Sequence, residues 1–147
     1  MAAMAHPSSA LPFTAALFDL DGCLLDTNDL IQRSFQHTFA ECAAVLGLHE
    51  SPAPSLIQSW FGEPLVTTFR RFSQDEATVA HCVAAYRAYN LAQHDALARE
   101  FDGLLAVVRH LAQCGVRLAV VTSKARVILW VLWEPKPPRK NEHIKRD

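Results

Sequence analysis

Ten residues near the start of the chain, Phe18 to Thr27, constrain its fold more than any other segment. Their sequence is FDLDGCLLDT, and it places Asp19 and Asp21 directly after an apolar run and directly before Gly22. A short apolar run bounded by turn signals is typical of a buried strand in a parallel sheet, so we predict a strand over residues 13–18. Open α/β sheets hold their ligands at the carboxyl ends of the strands. The segment therefore predicts an α/β fold with an acidic ligand site at one edge of the sheet.

The spacing of the two acids suits phosphoryl chemistry. A carboxylate can attack phosphorus and form an aspartyl-phosphate, which divides one difficult hydrolysis into two easier steps, and Asp19 is the candidate nucleophile. Side chains at i and i+2 of an extended strand share a face, so Asp21 is placed to protonate the leaving oxygen and later to activate water. Mg²⁺ prefers oxygen ligands, and one Asp19 oxygen and the Asp21 backbone carbonyl are candidate metal ligands. The simpler interpretation is a pair of solvated acids in an Asp-Gly turn.

The whole string matches an apolar strand followed by the pattern D-x-D-G-x-L-x-D-[ST], and in this it resembles the first motif of the haloacid dehalogenase superfamily. The resemblance implies a Rossmann-like α/β core with an inserted α-helical cap. It also implies Mg²⁺-dependent hydrolysis of a small phosphorylated substrate or of pyrophosphate, with Mg²⁺ as the cofactor. The catalytic and metal-binding roles would then fall on Asp19 and Asp21.

Helical patterns follow this motif without an intervening strand. The first predicted helix has Thr27 or Asn28 as its cap, an apolar stripe, and Gly47 as its stop. Ser-Gln-Asp-Glu at 73–76 is typical of a capping box that opens a long helix. The predicted helices cover residues 29–46, 56–61, 64–72 and 73 to 91 or beyond. This run of helices resembles the helical cap of the superfamily, to which we assign residues 28–98.

One segment of the cap, Tyr86 to Asp95, is similar to the Y-R-x-x-N-x-x-x-H-D-like sequence of the pyrophosphatase and phosphoglycolate phosphatase branch, with the PpaX-type pyrophosphatases nearer. The resemblance implies that Arg87, Asn90 and His94 contact a phosphorylated substrate from the cap side. Spacings of three and four residues place them near one face of a helix. The simpler interpretation is a solvated polar face.

After the cap the pattern returns to that of a core. Asp102 is predicted to cap a helix that ends at Gly115, and a strand is predicted over residues 116–121. This strand would be the parallel neighbour of the first, and its end at Thr122-Ser123-Lys124 resembles the second motif of the superfamily. The resemblance implies phosphate binding by Thr122, Ser123 and Lys124. Taken alone, a Thr after a strand is most often a helix cap.

The resemblance ends near residue 126, before the lysine and the paired acids that the later motifs of the superfamily would supply. Residues 127–133 form an apolar block that is shorter than the roughly 20 residues needed to span a bilayer. The lysines farther on lie among prolines, and no catalytic role is assigned to them. A frameshift, an alternative end or a fragment would each give such a segment. The expected units are a disordered lead-in at 1–12, a partial core at 13–27 and 99–126, the cap at 28–98, and a divergent tail at 127–147.

The composition of the chain restricts the kinds of partner that it is expected to bind. The 147 residues carry 14 basic and 15 acidic side chains that are evenly scattered, which argues against a nucleic-acid surface. The four cysteines are widely spaced and form no C-x-x-C pair, so we expect free thiols and no zinc site. No secretory signal is recognised, and we expect a cytoplasmic protein without membrane contact. The pattern does not indicate an oligomeric state.

The leading hypothesis is that the chain descends from Mg²⁺-dependent phosphatases or pyrophosphatases, whether or not it is active itself. Two alternatives stay open. One is a non-catalytic fragment or interaction protein, because the later motifs that supply transition-state electrostatics are not recognised. The other is a phosphoglucomutase-like phosphotransferase, because an aspartyl-phosphate can pass its phosphoryl group to a sugar instead of to water.

Overall fold

The computed structural model describes residues 11–124, and it confirms the predicted α/β class. The predictions for the tail at 127–147 and for nearly all of the lead-in at 1–12 lie outside the described residues. The strands are β1 (Ala15–Phe18), β2 (Leu25–Asp26), β3 (Arg99–Glu100) and β4 (Arg117–Val120). The helices are α1 (Asn28–Glu41), α2 (Ala43–Leu46), α3 (Pro54–Gln58), α4 (Leu65–Phe69), α5 (Glu76–Leu97) and α6 (Leu104–Gln113).

The pairing of β1 with β4 decides where the site lies. The two strands are parallel, with Ala15 opposite Arg117 and Phe18 opposite Val120. Both are shorter than the predicted 13–18 and 116–121, but the predicted neighbours are confirmed. Beyond the last pair, the Val121 N–H donates to the Phe18 carbonyl at 2.8 Å. The residues that follow both strands therefore emerge side by side at one edge of the sheet.

A second, very short sheet joins the two ends of the helical segment. β2 and β3 are antiparallel, with Leu25 opposite Glu100 and Asp26 opposite Arg99. Neither strand was predicted, but neither interrupts the run of helices predicted for residues 28–98, because β2 lies inside the first motif and β3 begins at Arg99. Two residues are too few to show an alternating pattern, so the sequence could not reveal them. The pairing brings the chain back, after α5, to the place where it left the first motif.

The first predicted helix is in fact two. α1 ends at Glu41 with Cys42 as its C-cap residue, and the short α2 stops at Gly47, whose φ of 63° is the left-handed conformation that glycine adopts at helix ends. Thr27 occupies the N-cap position but makes no side-chain cap hydrogen bond. α3 begins earlier than predicted, with Pro54 in its first turn, where proline is tolerated.

Two predicted helix N-cap residues are wrong. The N-cap of α5 is Asp75 and not Ser73, because the Thr78 N–H donates to Asp75 Oδ2 at 2.9 Å. The N-cap of α6 is Gly103, at a φ of 77°, and the Asp102 side chain makes no cap hydrogen bond. In both cases the start of the helix lies within a few residues of the predicted position.

Aromatic side chains form the centre of the helical segment, where α1 packs along α5 and α3 and α4 close the end. Phe35 and Phe39 of α1 contact Trp60 at ring-centroid distances of 5.9 Å, and Phe39 also meets Phe69 at 5.6 Å. The apolar stripe predicted for the first helix therefore faces this core. The result is a firm helical body beside the sheet.

The four cysteines are free thiols, as predicted. Two of them, Cys42 and Cys82, are buried in the aromatic core. Burial, with Cys42 as a close neighbour, raises the pKa of Cys82 to about 12. Cys82 is thus a protonated packing residue near neutral pH.

The sheet side carries much more exposed apolar surface than the helical body. Leu17 on β1 is 70 % exposed, and no residue of α6 is fully buried. Apolar side chains on β4 and just after it are also exposed. Among residues 11–124, β1 pairs only with β4. Within the same range, no helix has the length and apolar character needed to cross a membrane.

Candidate active site

A cleft of about 570 Å³ lies between the edge of the sheet and the helical body. Its sheet side is formed by Asp19, Asp21 and Gly22 after β1, together with Ser123 and Lys124 after β4. Its helical side is formed by residues of α1, α4 and α5 and of the turn that follows α3. The two stretches with candidate catalytic residues therefore meet in one cavity, because their strands are parallel neighbours.

Asp19 is the first residue beyond β1, and its side chain is exposed at the cleft. Its Oδ1 accepts a hydrogen bond from the Leu20 N–H at 2.7 Å. The loop behind it is closed by the Gly22 N–H, which donates to the Leu25 carbonyl at 2.7 Å, and by a φ of 74° at Gly22. A side chain other than glycine would be strained at that φ. The loop thus holds the Asp19 carboxylate open to a ligand.

Asp21 is bound by Lys124, a residue 103 positions later in the chain. Lys124 Nζ donates to Asp21 Oδ1 at 2.9 Å and to Oδ2 at 3.2 Å. The lysine side chain is only 9 % exposed and that of Asp21 is 27 % exposed, so solvent screens this pair less than a surface pair. The two candidate motifs are therefore coupled directly by charge.

The three residues predicted to bind phosphate occupy different places. Ser123 and Lys124 line the cleft, whereas Thr122 is half-buried and is not among the described residues that line it. Thr122 Oγ1 instead accepts a hydrogen bond from the Lys124 N–H at 3.1 Å. Thr122 shapes the turn that presents Lys124.

The three residues predicted to contact substrate from the cap also separate. Arg87 is exposed and lines the cleft. Asn90 lines it too, but is buried, and its Nδ2 donates to Ser34 Oγ at 3.1 Å across α1 and α5. His94 is buried beside Asp95, with 3.6 Å between Nδ1 and the carboxylate, and is not among the described lining residues. Only Arg87 combines charge, exposure and a place on the cleft.

The sequence reasoning missed two polar groups of the helical side. Tyr86 is buried and lines the cleft. Burial raises its pKa, the nearby Asp21 carboxylate adds to the rise, and a hydrogen bond with Ser34 opposes it, so the phenol stays neutral. Glu63 lines the cleft and is held by Arg71 and by Thr68, whose hydroxyl donates at 2.9 Å. The Arg71 hydrogen bond lowers the pKa of Glu63 and keeps it charged. Tyr86 is the first residue of the segment at 86–95 that resembles the pyrophosphatase branch, and this position was the signal that could have identified it as a site residue.

The donors at the sheet edge fit a divalent cation that keeps most of its water. The exposed Asp19 carboxylate and the neighbouring Asp21 carbonyl are both hard oxygen ligands, which Mg²⁺ prefers. No group of three or more Asp, Glu, His or Cys side chains that could hold a metal occurs within residues 11–124. This part of the chain therefore offers a partial set of ligands, of the right chemistry.

Comparison with known proteins agrees with this geometry. Residues 16–134 match the family model described as haloacid dehalogenase-like hydrolase. The chain belongs to this family. The match covers β4, all of β1 except Ala15, the whole helical body, and every candidate site residue named above.

Two kinds of relative place the chain more closely within the haloacid dehalogenase-like hydrolases. A putative pyrophosphatase PpaX from Clostridium perfringens is 39 % identical over 110 residues, which are 75 % of this chain and 48 % of that protein. A haloacid dehalogenase-like hydrolase from Streptococcus pneumoniae has a TM-score of 0.66 at 29 % identity, over 79 % of this chain and 52 % of that one. Protein Tyrosine Kinase A of Mycobacterium tuberculosis has a TM-score of 0.64 at 34 % identity, over 82 % and 55 %. The chain thus spans about half the length of the curated relatives it matches, and the PpaX-type resemblance is confirmed.

Proposed function

We propose that this chain carries the nucleophile and the cap of a Mg²⁺-dependent phosphatase or pyrophosphatase that acts on a small phosphorylated substrate. The observation that carries the proposal is the parallel pairing of β1 and β4, which brings Asp19, Asp21 and Lys124 into one cleft. The division into a core at 13–27 and 99–126 and a cap at 28–98 belongs to the same proposal. It is supported by the β2–β3 pairing at the cap boundary.

The proposed reaction has two steps. In the first, a carboxylate oxygen of Asp19 bonds to phosphorus as the bond from phosphorus to the leaving oxygen breaks, and Asp21, which enters this step protonated, gives that oxygen its proton. In the second, Asp21 takes a proton from water, whose oxygen attacks phosphorus and releases Asp19 and inorganic phosphate. The proposed role of Asp21 is supported by its place in the same cleft as Asp19.

Electrostatics would come from the cations that line the cleft. Lys124 lines the cleft and would attract the phosphoryl oxygens, and in the structure the Asp21 carboxylate holds its ammonium group at the sheet edge. Bound Mg²⁺, held by Asp19 and the Asp21 carbonyl, would offset the repulsion between the nucleophile and the anionic phosphoryl group. Arg87 would contact the substrate from the cap side, and the hydrogen bond from Asn90 to Ser34 would hold α5 against α1 beside it.

The test is phosphate release from pyrophosphate, phosphoglycolate and an aryl phosphate, with Mg²⁺ and with chelator. We expect release that requires Mg²⁺ and is lost in Asp19→Asn. Asp102→Asn is the matched control, because Asp102 is exposed and is not among the described residues that line the cleft. Release that persists in chelator, or equally in both variants, would contradict the proposal. No release from folded protein would favour the non-catalytic alternative.

A phosphotransferase is the second candidate, and one observation favours it. The similar solved structure from Mycobacterium tuberculosis is named a protein tyrosine kinase. In this alternative an acceptor hydroxyl replaces water in the second step. Substrate consumed in excess of phosphate released, when an alcohol or a sugar is added, would identify it.

A further inference from the structure

We propose that the cleft selects an organic phosphomonoester with an apolar leaving group in preference to pyrophosphate. This inference rests on the proposed function and names the substrate class of the same site. Three properties of the described cleft lining support it: its apolar wall, its charge and its rigidity.

The wall opposite the two aspartates is largely apolar. It includes Ile31 of α1, Leu65 and Val66 of α4, and Trp60 and Phe61 of the turn after α3, with the ring of Tyr86 beside them. Val66 is 38 % exposed and Ile31 and Leu65 are half-buried, so part of this surface is open to a ligand. A leaving group without apolar surface would leave the wall in contact with water. An aryl or alkyl group would cover it and gain from the hydrophobic effect.

The described lining offers little positive charge to a second phosphate group on the cap side. The described lining has two cations, Lys124 and Arg87, against the carboxylates of Asp19, Asp21 and Glu63. Lys124 lies at the sheet edge with Asp21, which leaves Arg87 as the cation that the described cap residues present to the cleft. Glu63 stands on the same side and is held in its charged form by Arg71. The distal phosphate of pyrophosphate would meet Arg87 there beside the Glu63–Arg71 ion pair, whose two charges offset each other.

The wall is held in place before any ligand arrives. Trp60 packs edge-on against Phe35 with ring centroids 5.9 Å apart, and the Arg71 guanidinium lies 5.9 Å from the Trp60 ring centroid. Tyr86 packs against Phe35 at 4.8 Å. A preformed apolar surface needs little ordering on binding, so its burial is retained as affinity.

The experiment measures binding to the full chain with Mg²⁺ by calorimetry, using phosphonates whose P–C bonds resist hydrolysis. The ligands are methylphosphonate, benzylphosphonate and methylenediphosphonate, the last as a pyrophosphate analogue. Burying an aromatic ring corresponds to roughly 10- to 100-fold in affinity. We expect benzylphosphonate to bind at least about tenfold more tightly than methylphosphonate and more tightly than methylenediphosphonate.

Val66→Lys tests the wall directly. A lysine there removes apolar surface and adds a cation, so it should weaken the binding of benzylphosphonate and strengthen the binding of methylenediphosphonate. Val45→Lys is the matched control, because Val45 is also an exposed helical valine but is not among the described residues of the cleft. We expect it to leave both affinities unchanged.

The outcomes separate this inference from the proposed function. Methylenediphosphonate binding as tightly as benzylphosphonate, or binding of none of the three, would overturn the inference. Mg²⁺-dependent and Asp19-dependent turnover together with diphosphonate preference would overturn it while the proposed function stands. Benzylphosphonate preference without turnover of any phosphate ester would uphold the inference and count against the proposed function.

Discussion

At the scale of single residues, the ion pair between Lys124 and Asp21 links the two halves of the candidate site. Asp19 and Asp21 could be predicted because their spacing after a strand is a local pattern. The Lys124–Asp21 contact could not, because it depends on the register of two strands about a hundred residues apart. Thr122 shows the converse, since its local pattern is clear but its hydroxyl faces its own turn. The local pattern therefore identifies candidate site residues, and the pairing of the strands determines which of these residues are in contact.

Lys124→Met should lower kcat/KM roughly 10²- to 10³-fold, the typical effect of removing one preorganised electrostatic donor. Phosphate release at subsaturating substrate measures it. Arg33→Met is the matched control, because the Arg33–Asp29 pair has the same 2.9 Å separation but lies on the exposed surface of α1. Equal activity of both variants and the unmodified chain would show that Lys124 does not act on the phosphoryl group.

A substitution of Phe39 tests how much the aromatic core contributes to stability, without changing a residue of the cleft. Phe39 is completely buried and is not among the described lining residues. Phe39→Ala should lower the free energy of unfolding by about 3–5 kcal/mol, through lost burial and the cavity left behind. Denaturant unfolding measures it, with exposed Val45→Ala expected to change stability by less than about 0.5 kcal/mol. A loss of less than about 1 kcal/mol for Phe39→Ala would contradict the packing described.

At the scale of elements, the long helices were predictable and their ends were not. α5 has clear start signals in its sequence, yet the choice between Ser73 and Asp75 as its cap depends on backbone geometry within two residues. The break at Cys42 carries no glycine or proline, so the sequence lacked a stop signal there. β2 and β3 have only two residues each and exist through their pairing with one another.

Asp75 should make the stability of α5 depend on pH in the acid range. Hydrogen bonds from the Thr78 hydroxyl and backbone N–H lower the pKa of Asp75 below its usual 3.8. A carboxyl with a lowered pKa in the folded state contributes stability above its unfolded pKa, and loses it as pH falls through the folded pKa. Asn can accept the same cap hydrogen bond without titrating.

We therefore expect the melting temperature to decrease more for the unmodified chain than for Asp75→Asn when the pH is lowered from about 5 to about 3. Thermal melts followed by far-UV circular dichroism measure the difference. Asp75→Ala should melt at a lower temperature than either at neutral pH, because it lacks the cap altogether. Parallel pH profiles for the Asp and Asn forms would show that this carboxylate does not carry the acid dependence.

At the scale of the whole molecule, apolar surface is distributed unevenly between the helical body and the sheet side. Leu17, Leu105 and Val107 are all more than half exposed, and large apolar side chains in contact with water favour association where they form a patch. We expect the purified chain to self-associate as its concentration rises, and Leu105→Glu with Val107→Glu to reduce this. Sedimentation velocity over a concentration series measures it. Monomer at every concentration, or an equal effect of Val45→Glu on the helical body, would contradict the expectation.

Chemical trapping of a phosphoryl group on Asp19 would show whether this carboxylate is the nucleophile. Labelled substrate is mixed with the chain and Mg²⁺, quenched within a single turnover, and mapped by peptide mass spectrometry. We predict a label on Asp19, and loss of both label and phosphate release by at least about 10³-fold in Asp19→Asn. Phosphate release that continues in Asp19→Asn, or a label on another residue, would contradict this prediction.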